Sequence, residues 1–357
     1  MNIKTFIILL VVFMGINSCR IAEDYKQMSH REWLLSRKYN VGQSTILLID
    51  KKRNRPLKTE LWFPTNDTSR ANISIEYPFK LPPTSKEAEI IQGKFPLILL
   101  SHGTGGNRIS QMWLACELAG SGYVVASVDH FGNTFDNKIP ENFVKVWDRP
   151  LDISFLLDQL LSSSVWSSKI DTAKIGMVGF SLGGYTAIAL AGSTIDYKLL
   201  ESFSKTNEGK IEFNVPELGD LSKLIKEDVI NDGNKQYRNL KEKRITAFVA
   251  LSPAMGQGFK YESQFENVNS NILIIGAQND ERTPPKTNAK HYHQMIKNSR
   301  YIELEGKVGH YIFMNAAKSD LRKDAPIIFK DDASVNRIEV HKNVSKTILD
   351  FFTTELK

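Results

Sequence analysis

From Phe95 onward, short apolar runs recur along the chain with polar, helix-compatible stretches between them. "FPLILLS", "YVVASVD", "KIGMVGF", "TAFVALS", "NILIIGA" and "RYIELEG" are rich in branched aliphatic residues and show little alternation of apolar with polar positions. A strand wetted on one side alternates, whereas one covered on both faces is apolar nearly throughout. The stretches "RISQMWLACELAG", "RPLDISFLLDQLLSS" and "SLGGYTAIALAG" separate the first four runs and read as helices. Strands alternating with helices predict an α/β class, with a mostly parallel central sheet and helices on both faces.

The flanks of this rhythm differ in character. "STILLID" and "PLKTELWFP" surround the basic "DKKRNRP" (Asp50 to Pro56) and predict a β-hairpin with a solvated turn. The segment from Asn66 to Gly93, with Pro78, Pro82 and Pro83, reads as an inserted surface loop. Ser193 to Arg244 is charged and polar, with weak helical patches such as "LSKLIKEDVI", and is too long for a simple connection. It is expected to be a cap over the carboxyl edge of the sheet. The chain closes on "HKNVSKTILDFFTTEL", an amphipathic helix by the spacing of Val344, Ile348, Phe351 and Phe352. One domain, residues 41–357 with a cap insertion at 193–244, accounts for these elements.

Composition adds a size and a compartment. The 357 residues, 41% hydrophobic and 24% charged, fit a soluble globular chain with a substantial core. The net charge of +6 is spread along the sequence and accompanies no nucleic-acid-binding module, so no nucleic-acid partner is expected. At the N-terminus, Lys4 precedes an apolar run from Phe6 to Ile16, followed by small and polar residues up to Cys19. A bilayer-spanning helix needs about twenty apolar residues. This shorter run has the layout of a secretory signal peptide over residues 1–18. Ile16-Asn17-Ser18-Cys19 also resembles the bacterial lipobox, in which the cysteine is lipidated and becomes the mature N-terminus. Cys19 is therefore the expected lipidation site and residues 19–40 a polar spacer. The protein is expected at a bacterial periplasmic or cell-surface membrane, or secreted if cleavage occurs without lipidation. Cys116, in "MWLACELAG", is expected to be a buried free thiol; lipidation of Cys19 leaves no intramolecular disulfide.

Candidate chemistry centres on Gly179-Phe180-Ser181-Leu182-Gly183, a G-x-S-x-G pattern. Such a short motif is weak by itself. Here it lies directly after a strand and directly before a helix, the setting of a nucleophile elbow. The flanking glycines suit a strained turn that brings the residues on either side of Ser181 together, and Gly184 allows helix and sheet to approach. A serine hydroxyl needs a base, and the base an orienting acid. Of the seven histidines, His30 lies outside the core, and His102 and His130 follow strands ahead of the serine. His291 and His293 fall in the helix-like "PPKTNAKHYHQMIKN", and His341 opens the final helix. His310, in "LEGKVGHYIFMN" beyond the last core strand, is the candidate base. Asp280, in "NILIIGAQNDERTPP", is the candidate acid; Glu281 is its rival, and capping of the following helix is the alternative use of Asp280. For an oxyanion, the candidate donors are the Leu182 N–H and the Thr104 N–H of "HGTGGN", where Gly103, Gly105 and Gly106 leave the backbone free to turn.

With these residues in place, the sequence from about Leu47 to the C-terminus resembles the α/β-hydrolase superfamily. More narrowly, "LILLSHGTGGNR", "VVASVDHFGNT", "RPLDISFLLDQL", "GFSLGG", "ALSPAMG" and "GHYIF" resemble bacterial dienelactone-hydrolase-like proteins related to platelet-activating-factor acetylhydrolase. "LEGKVGH" is also similar to a segment of bacterial polyester hydrolases. The resemblance implies an α/β-hydrolase fold and a serine esterase without metal or organic cofactor, acting on a small-molecule or lipid ester. Dienelactone hydrolase has a cysteine where Ser181 stands, so its substrate is not carried over. The acetylhydrolases place their acid after an earlier strand; "ALSPAMG" offers Ser252 and Pro253 there, which leaves the acid role to Asp280 and phospholipid specificity open. A serine peptidase or amidase would use the same triad, and an inactive lipid-anchored binding protein is the alternative from another class. Specificity is expected to reside in the cap and in the loop from Phe131 to Phe143.

Overall fold

The structure, a computed structural model, describes residues 37–68, 71–72, 77–235 and 239–357. The chain divides into a unit Met1–Lys38 and a unit Tyr39–Lys357. Nearly all of the first unit lies outside the described residues, and with it the expected signal peptide 1–18, Cys19 and most of the spacer.

Among the described residues the second unit has twelve strands. They are β1 (Asn40–Asp50), β2 (Arg55–Thr65), β3 (Ala71–Asn72), β4 (Thr84–Lys86), β5 (Phe95–Ser101), β6 (Val124–Val128), β7 (Ile170–Phe180), β8 (Asn214–Val215), β9 (Gly219–Asp220), β10 (Ala247–Leu251), β11 (Asn271–Ala277) and β12 (Ser299–Leu304). β8 and β9 form a hairpin of their own, and the other ten make one sheet in the order β12-β11-β10-β7-β5-β6-β2-β1-β4-β3. From β12 across to β6 all neighbours are parallel. β2 joins β6 antiparallel and turns back into β1 as a hairpin.

Ten helices among the described residues cover the sheet and its edge. They are α1 (Met112–Gly120), α2 (Asp148–Ser162), α3 (Leu182–Ala191), α4 (Tyr197–Ser204), α5 (Asn207–Glu212), α6 (Glu227–Lys235), α7 (Ala289–Met295), α8 (Ser319–Asp324), α9 (Pro326–Phe329) and α10 (Arg337–Glu355). The apolar runs of β5, β6, β10 and β11 are continuous because both faces of these strands are buried. Leu97 and Leu99 of β5 and Ile272 and Ile274 of β11 enter a core with Leu156 of α2 and Ile188 of α3. Ile98, Leu100, Leu273 and Ile275 point the other way, into a core with Trp113 and Leu118 of α1 and Ile348 and Phe352 of α10. Each such aliphatic side chain contributes about 1.5–3 kcal/mol relative to exposure. Every residue of α1 and of α3 is buried, Cys116 among them, which explains why neither helix carries a polar stripe.

Three local expectations are corrected. The segment Asn66 to Gly93 is not loop throughout: β4 pairs in parallel with β1, Gly42 opposite Ser85, and β3 adds beyond it. Its attachment is polar, with the Thr84 hydroxyl donating to Gln43 Oε1 at 2.7 Å, so no apolar pattern announces it. The basic turn is only partly solvated. Lys51 and Lys52 are exposed, but Arg53 and Arg55 fold back onto the carboxylates of Asp148 and Asp152 in α2. The last helix begins at Arg337, not at His341, because the Asn336 side chain accepts the Glu339 N–H and caps it there. His341 lies inside it, buried, with its ring stacked on Trp113 at 3.9 Å and its Nε2 2.7 Å from the Ile312 carbonyl.

Candidate active site

The parallel strands end together on one edge of the sheet. His102 follows β5, Ser181 follows β7, Ser252 follows β10, Asp280 lies just beyond β11 and His310 just beyond β12. In open α/β sheets this carboxyl edge is where ligands bind.

Ser181 occupies the turn between β7 and α3 at φ 55° and ψ −117°, a conformation costly for a residue with a side chain. The turn is possible because its neighbours are glycines. A Cβ on Gly179 would fall 1.8 Å from the Gly183 carbonyl oxygen, and one on Gly183 would fall 1.9 Å from the Ser101 oxygen. The backbone of Ser181 is fixed to the end of β10, its N–H donating to the Leu251 carbonyl at 2.9 Å and its carbonyl accepting from Ala254 N–H at 2.9 Å. The Leu182 N–H opens α3, where the first turn of N–H groups has no intrahelical acceptor.

Ser181, His310 and Asp280 are brought together in one chain of contacts. Ser181 Oγ lies 3.0 Å from His310 Nε2, and His310 Nδ1 lies 2.8 Å from Asp280 Oδ2. With Nδ1–H donated to the carboxylate, Nε2 is left to accept the serine proton. The Phe180 ring lies 4.9 Å from the imidazole, centroid to centroid, and limits its movement. Asp280 divides its two oxygens between two tasks. Oδ1 accepts the backbone N–H groups of Arg282 and Thr283 at 2.9 and 2.7 Å, and Oδ2 faces His310. The capping use and the orienting use of Asp280 are thus compatible, while Glu281 is exposed. Burial alone would raise the Asp280 carboxyl. The His310 charge and hydrogen bond, with the Thr283 N–H, instead draw it below its ordinary value.

The Gly103–Gly106 loop approaches the serine from β5. A Cβ on Gly103 would lie 3.2 Å from the Ser181 Cβ. The Gly103 carbonyl receives His102 Nδ1 at 2.7 Å, Arg149 Nη2 at 3.0 Å and Gly106 N–H at 3.2 Å. Every peptide here is trans, so the Thr104 N–H points away from those donors. Thr104 lines the same cavity as Ser181 and His310.

That cavity measures about 240 Å³. Its walls include Phe180, Phe213, Leu221, Met255 and Met314, and its rim Phe135 and Lys138 from the loop Phe131 to Phe143. Phe213, Val215, Pro216, Glu217 and Leu221 come from the segment 193–244, folded here as α4, α5, the β8–β9 hairpin, a 3-10 turn (Leu221–Leu224) and α6. Glu217 holds this segment down: its Oε1 accepts from the Tyr311 hydroxyl at 3.1 Å and its carbonyl from Lys138 Nζ at 2.9 Å. Glu212, also on the wall, is raised by burial although Thr287, Asn288 and Gln257 all donate to it.

Sequence reasoning passed over several polar residues here. Thr283 sends its hydroxyl to Asp280 Oδ2 at 3.0 Å and lies 3.2 Å from His310 Nδ1. Asp152 in α2 accepts from Arg55 at 2.8 Å twice and from His130 Nδ1 at 2.9 Å, while His130 Nε2 meets the Ser101 hydroxyl at 2.8 Å. This second Ser–His–Asp chain is wholly buried. Burial would raise Asp152, but the His130 and Arg55 hydrogen bonds and the Arg55 charge override it and hold the carboxyl at about 2. A signal existed in "RPLD", which puts Arg149 and Asp152 on the buried side of an otherwise apolar helix face.

Comparison with known proteins follows the same lines. The family model for platelet-activating factor acetylhydrolase, isoform II, matches residues 23–135, a stretch holding the Gly103–Gly106 loop and ending before Ser181. No curated protein sequence matches the chain. A solved ferulic acid esterase from Streptomyces cinnamoneus superposes with a TM-score of 0.59 over 90% of this chain and 91% of that one, at 19% sequence identity. Strand order, the carboxyl-edge placement of Ser181 and this superposition agree: the chain has the α/β-hydrolase fold.

Proposed function

We propose that the protein is a serine hydrolase that cleaves carboxylic esters through an acyl-enzyme. The observation carrying this reading is the contact chain Ser181 Oγ, His310 Nε2 and Nδ1, Asp280 Oδ2, opening on the apolar cavity. The names borne by the two matches, an acetylhydrolase family and a ferulic acid esterase, point to the same bond type.

In this mechanism Ser181 Oγ attacks the ester carbonyl while His310 Nε2 takes its proton. Asp280 keeps the imidazole in the right tautomer and stabilises the imidazolium. The negative oxygen of the tetrahedral intermediate is held by the Leu182 and Thr104 N–H groups, the former aided by the positive end of α3. Collapse returns the His310 proton to the departing alkoxide, leaving Ser181 acylated. Water, deprotonated by His310, then releases the acid and restores the serine. The apolar walls and a cavity of about 240 Å³ favour a short neutral ester over a long-chain lipid. Export through residues 1–18 and anchoring through Cys19 complete the reading.

A Ser181→Ala variant is expected to lose about 10⁴-fold or more in kcat on a chromogenic short-chain ester. A fluorophosphonate probe is expected to label the parent protein and not the variant. Absence of labelling would favour the inactive binding protein, and faster turnover of a matched amide would favour the peptidase.

A further inference from the structure

Arg149 is among the least expected residues in the molecule. It sits in the first turn of α2 at 1% exposure. A buried guanidinium usually ends on a carboxylate. Among the described residues Arg149 makes no ion pair; its hydrogen bonds go to the His102 carbonyl at 2.5 Å, the Gly103 carbonyl at 3.0 Å and Asn133 Oδ1 at 3.3 Å. Burial draws its pKa down to about 9, which leaves it a cation at neutral pH. The nearby Asp152 is already engaged by Arg53, Arg55 and His130. Those contacts anchor α2 to the sheet and the hairpin without Arg149.

The donors of Arg149 converge on the two peptides that precede Thr104. His102 adds to them through its tautomer. Its Nε2 accepts the His130 backbone N–H at 3.2 Å, so in the neutral ring Nδ1 carries the proton and donates it to the Gly103 carbonyl at 2.7 Å. Burial, with Arg149 and His130 beside it, keeps His102 neutral. Arg149 Nη2, 3.4 Å from that same Nδ1, faces another donor, and the acceptor both share is the Gly103 oxygen. Asn133 Oδ1, which Arg149 also reaches, accepts the Gly105 N–H at 3.0 Å and fixes the next peptide. The Gly103–Thr104 peptide is held at its carbonyl end by a cation, an imidazole and the Gly106 amide. Its opposite end carries the Thr104 N–H, and Thr104 lines the cavity.

We propose that Arg149, acting with His102, is a positioning residue that aims and polarises the Gly103–Thr104 peptide as an oxyanion donor. Donors gathered on a carbonyl oxygen make the N–H of the same peptide a stronger donor. Arg149 touches no substrate; it sets the direction of a group that does. The proposal rests on the acyl-transfer reading of the site and on Thr104 as a donor.

The test uses Arg149→Met, which removes every donor, and Arg149→Lys, whose single ammonium cannot span both carbonyls. Expected is a fall in kcat of about tenfold to a hundredfold for Arg149→Met, less than the full loss of a donor, with KM within about threefold. Arg149→Lys is expected to lie between this variant and the parent. An aryl trifluoromethyl ketone forms a hemiketal with Ser181, whose hydroxyl pKa, read by ¹⁹F NMR, reports the oxyanion hole directly. In the parent this pKa is expected below that of the free hydrate, and in Arg149→Met higher than the parent by about one unit or more. Folded variants with unchanged kcat and unchanged hemiketal pKa overturn the role of Arg149 while leaving the acyl-transfer reading intact. A parent that forms no hemiketal, or one with no depressed pKa, overturns both. Failure of both variants to fold also overturns the proposal, because Arg149 is then an anchor of the fold.

Discussion

Thr283 holds both oxygens of Asp280, its backbone N–H donating to Oδ1 at 2.7 Å and its hydroxyl to Oδ2 at 3.0 Å. Oδ2 is the oxygen that faces His310, so the hydroxyl and the imidazole meet on one carboxylate oxygen. Thr283→Val keeps the shape and the backbone bond but removes that donor. A hydrogen bond to a charged group contributes about 1.5–3 kcal/mol, and kcat is expected to fall about tenfold with KM little changed. Thr283→Ser should recover most of the loss. Steady-state kinetics on one short-chain ester measures all three proteins, and a Thr283→Val variant at full kcat would remove Thr283 from the site.

Asp152→Asn should be among the more damaging single changes away from the cavity. It leaves Arg53, Arg55 and His130 facing an amide where a buried carboxylate stood. Removing one partner of a buried ion pair costs about 3–5 kcal/mol. Urea unfolding at neutral pH is the measurement, and a midpoint within experimental scatter of the parent would contradict the account of this cluster.

Acid should destabilise the fold in a window set by buried histidines. Burial is the main cause in each case, opposed by hydrogen bonds, and it lowers His130 to about 4 and His341 to about 3, with His102 also well below its ordinary value. In the unfolded chain these rings take up protons near pH 6.5. The unfolded state therefore binds more protons than the folded state below that pH, and stability falls with it. Each histidine contributes a slope of up to about 1.4 kcal/mol per pH unit, His130 from about pH 6.5 to 4 and His341 to about 3. Asp152, held at about 2, adds a further loss only below about pH 3.8. Urea midpoints at pH 7 and pH 4.5 check the sign; equal midpoints would refute it.

The Tyr311 hydroxyl bond to Glu217 ties the segment 193–244 over the cavity beside His310. Tyr311→Phe removes the tie and keeps the ring. Its ratio of kcat/KM for a decanoate ester over a butyrate ester is expected to rise about threefold or more, since one lost hydrogen bond amounts to about 1 kcal/mol. An unchanged ratio would mean that this contact does not set chain-length preference.

The parallel strands were legible because burial on both faces leaves a continuous apolar run, as in Leu97 to Leu100. The order Ser181, Asp280, His310 was legible because each follows a strand of one parallel sheet, and strand ends of such a sheet meet on one edge. What escaped notice has a common cause: polar contacts between residues far apart in sequence leave no periodicity. Arg55 and Asp152 are 97 residues apart, and Thr84 reaches Gln43 across 41. Arg149 is harder still, because its two shortest bonds go to peptide carbonyls, which every residue has. The early start of α10 escaped notice because its first residue is Arg337, buried and bonded to Asp331 at 2.8 and 2.9 Å, a residue that reads as solvent-facing from charge alone.

The described residues contain two Ser–His–Asp relays with nearly equal spacings. In one the Ser101 hydroxyl meets His130 at 2.8 Å and His130 meets Asp152 at 2.9 Å; in the other the distances are 3.0 and 2.8 Å. The first ends on the last residue of β5 at 1% exposure, the second on a strained turn that lines a cavity. A geometric template laid over this fold would therefore score twice, whereas a phosphonylating reagent should titrate one equivalent. The same three side chains thus stand in two settings that differ in access, in backbone conformation and in the arginines that surround Asp152.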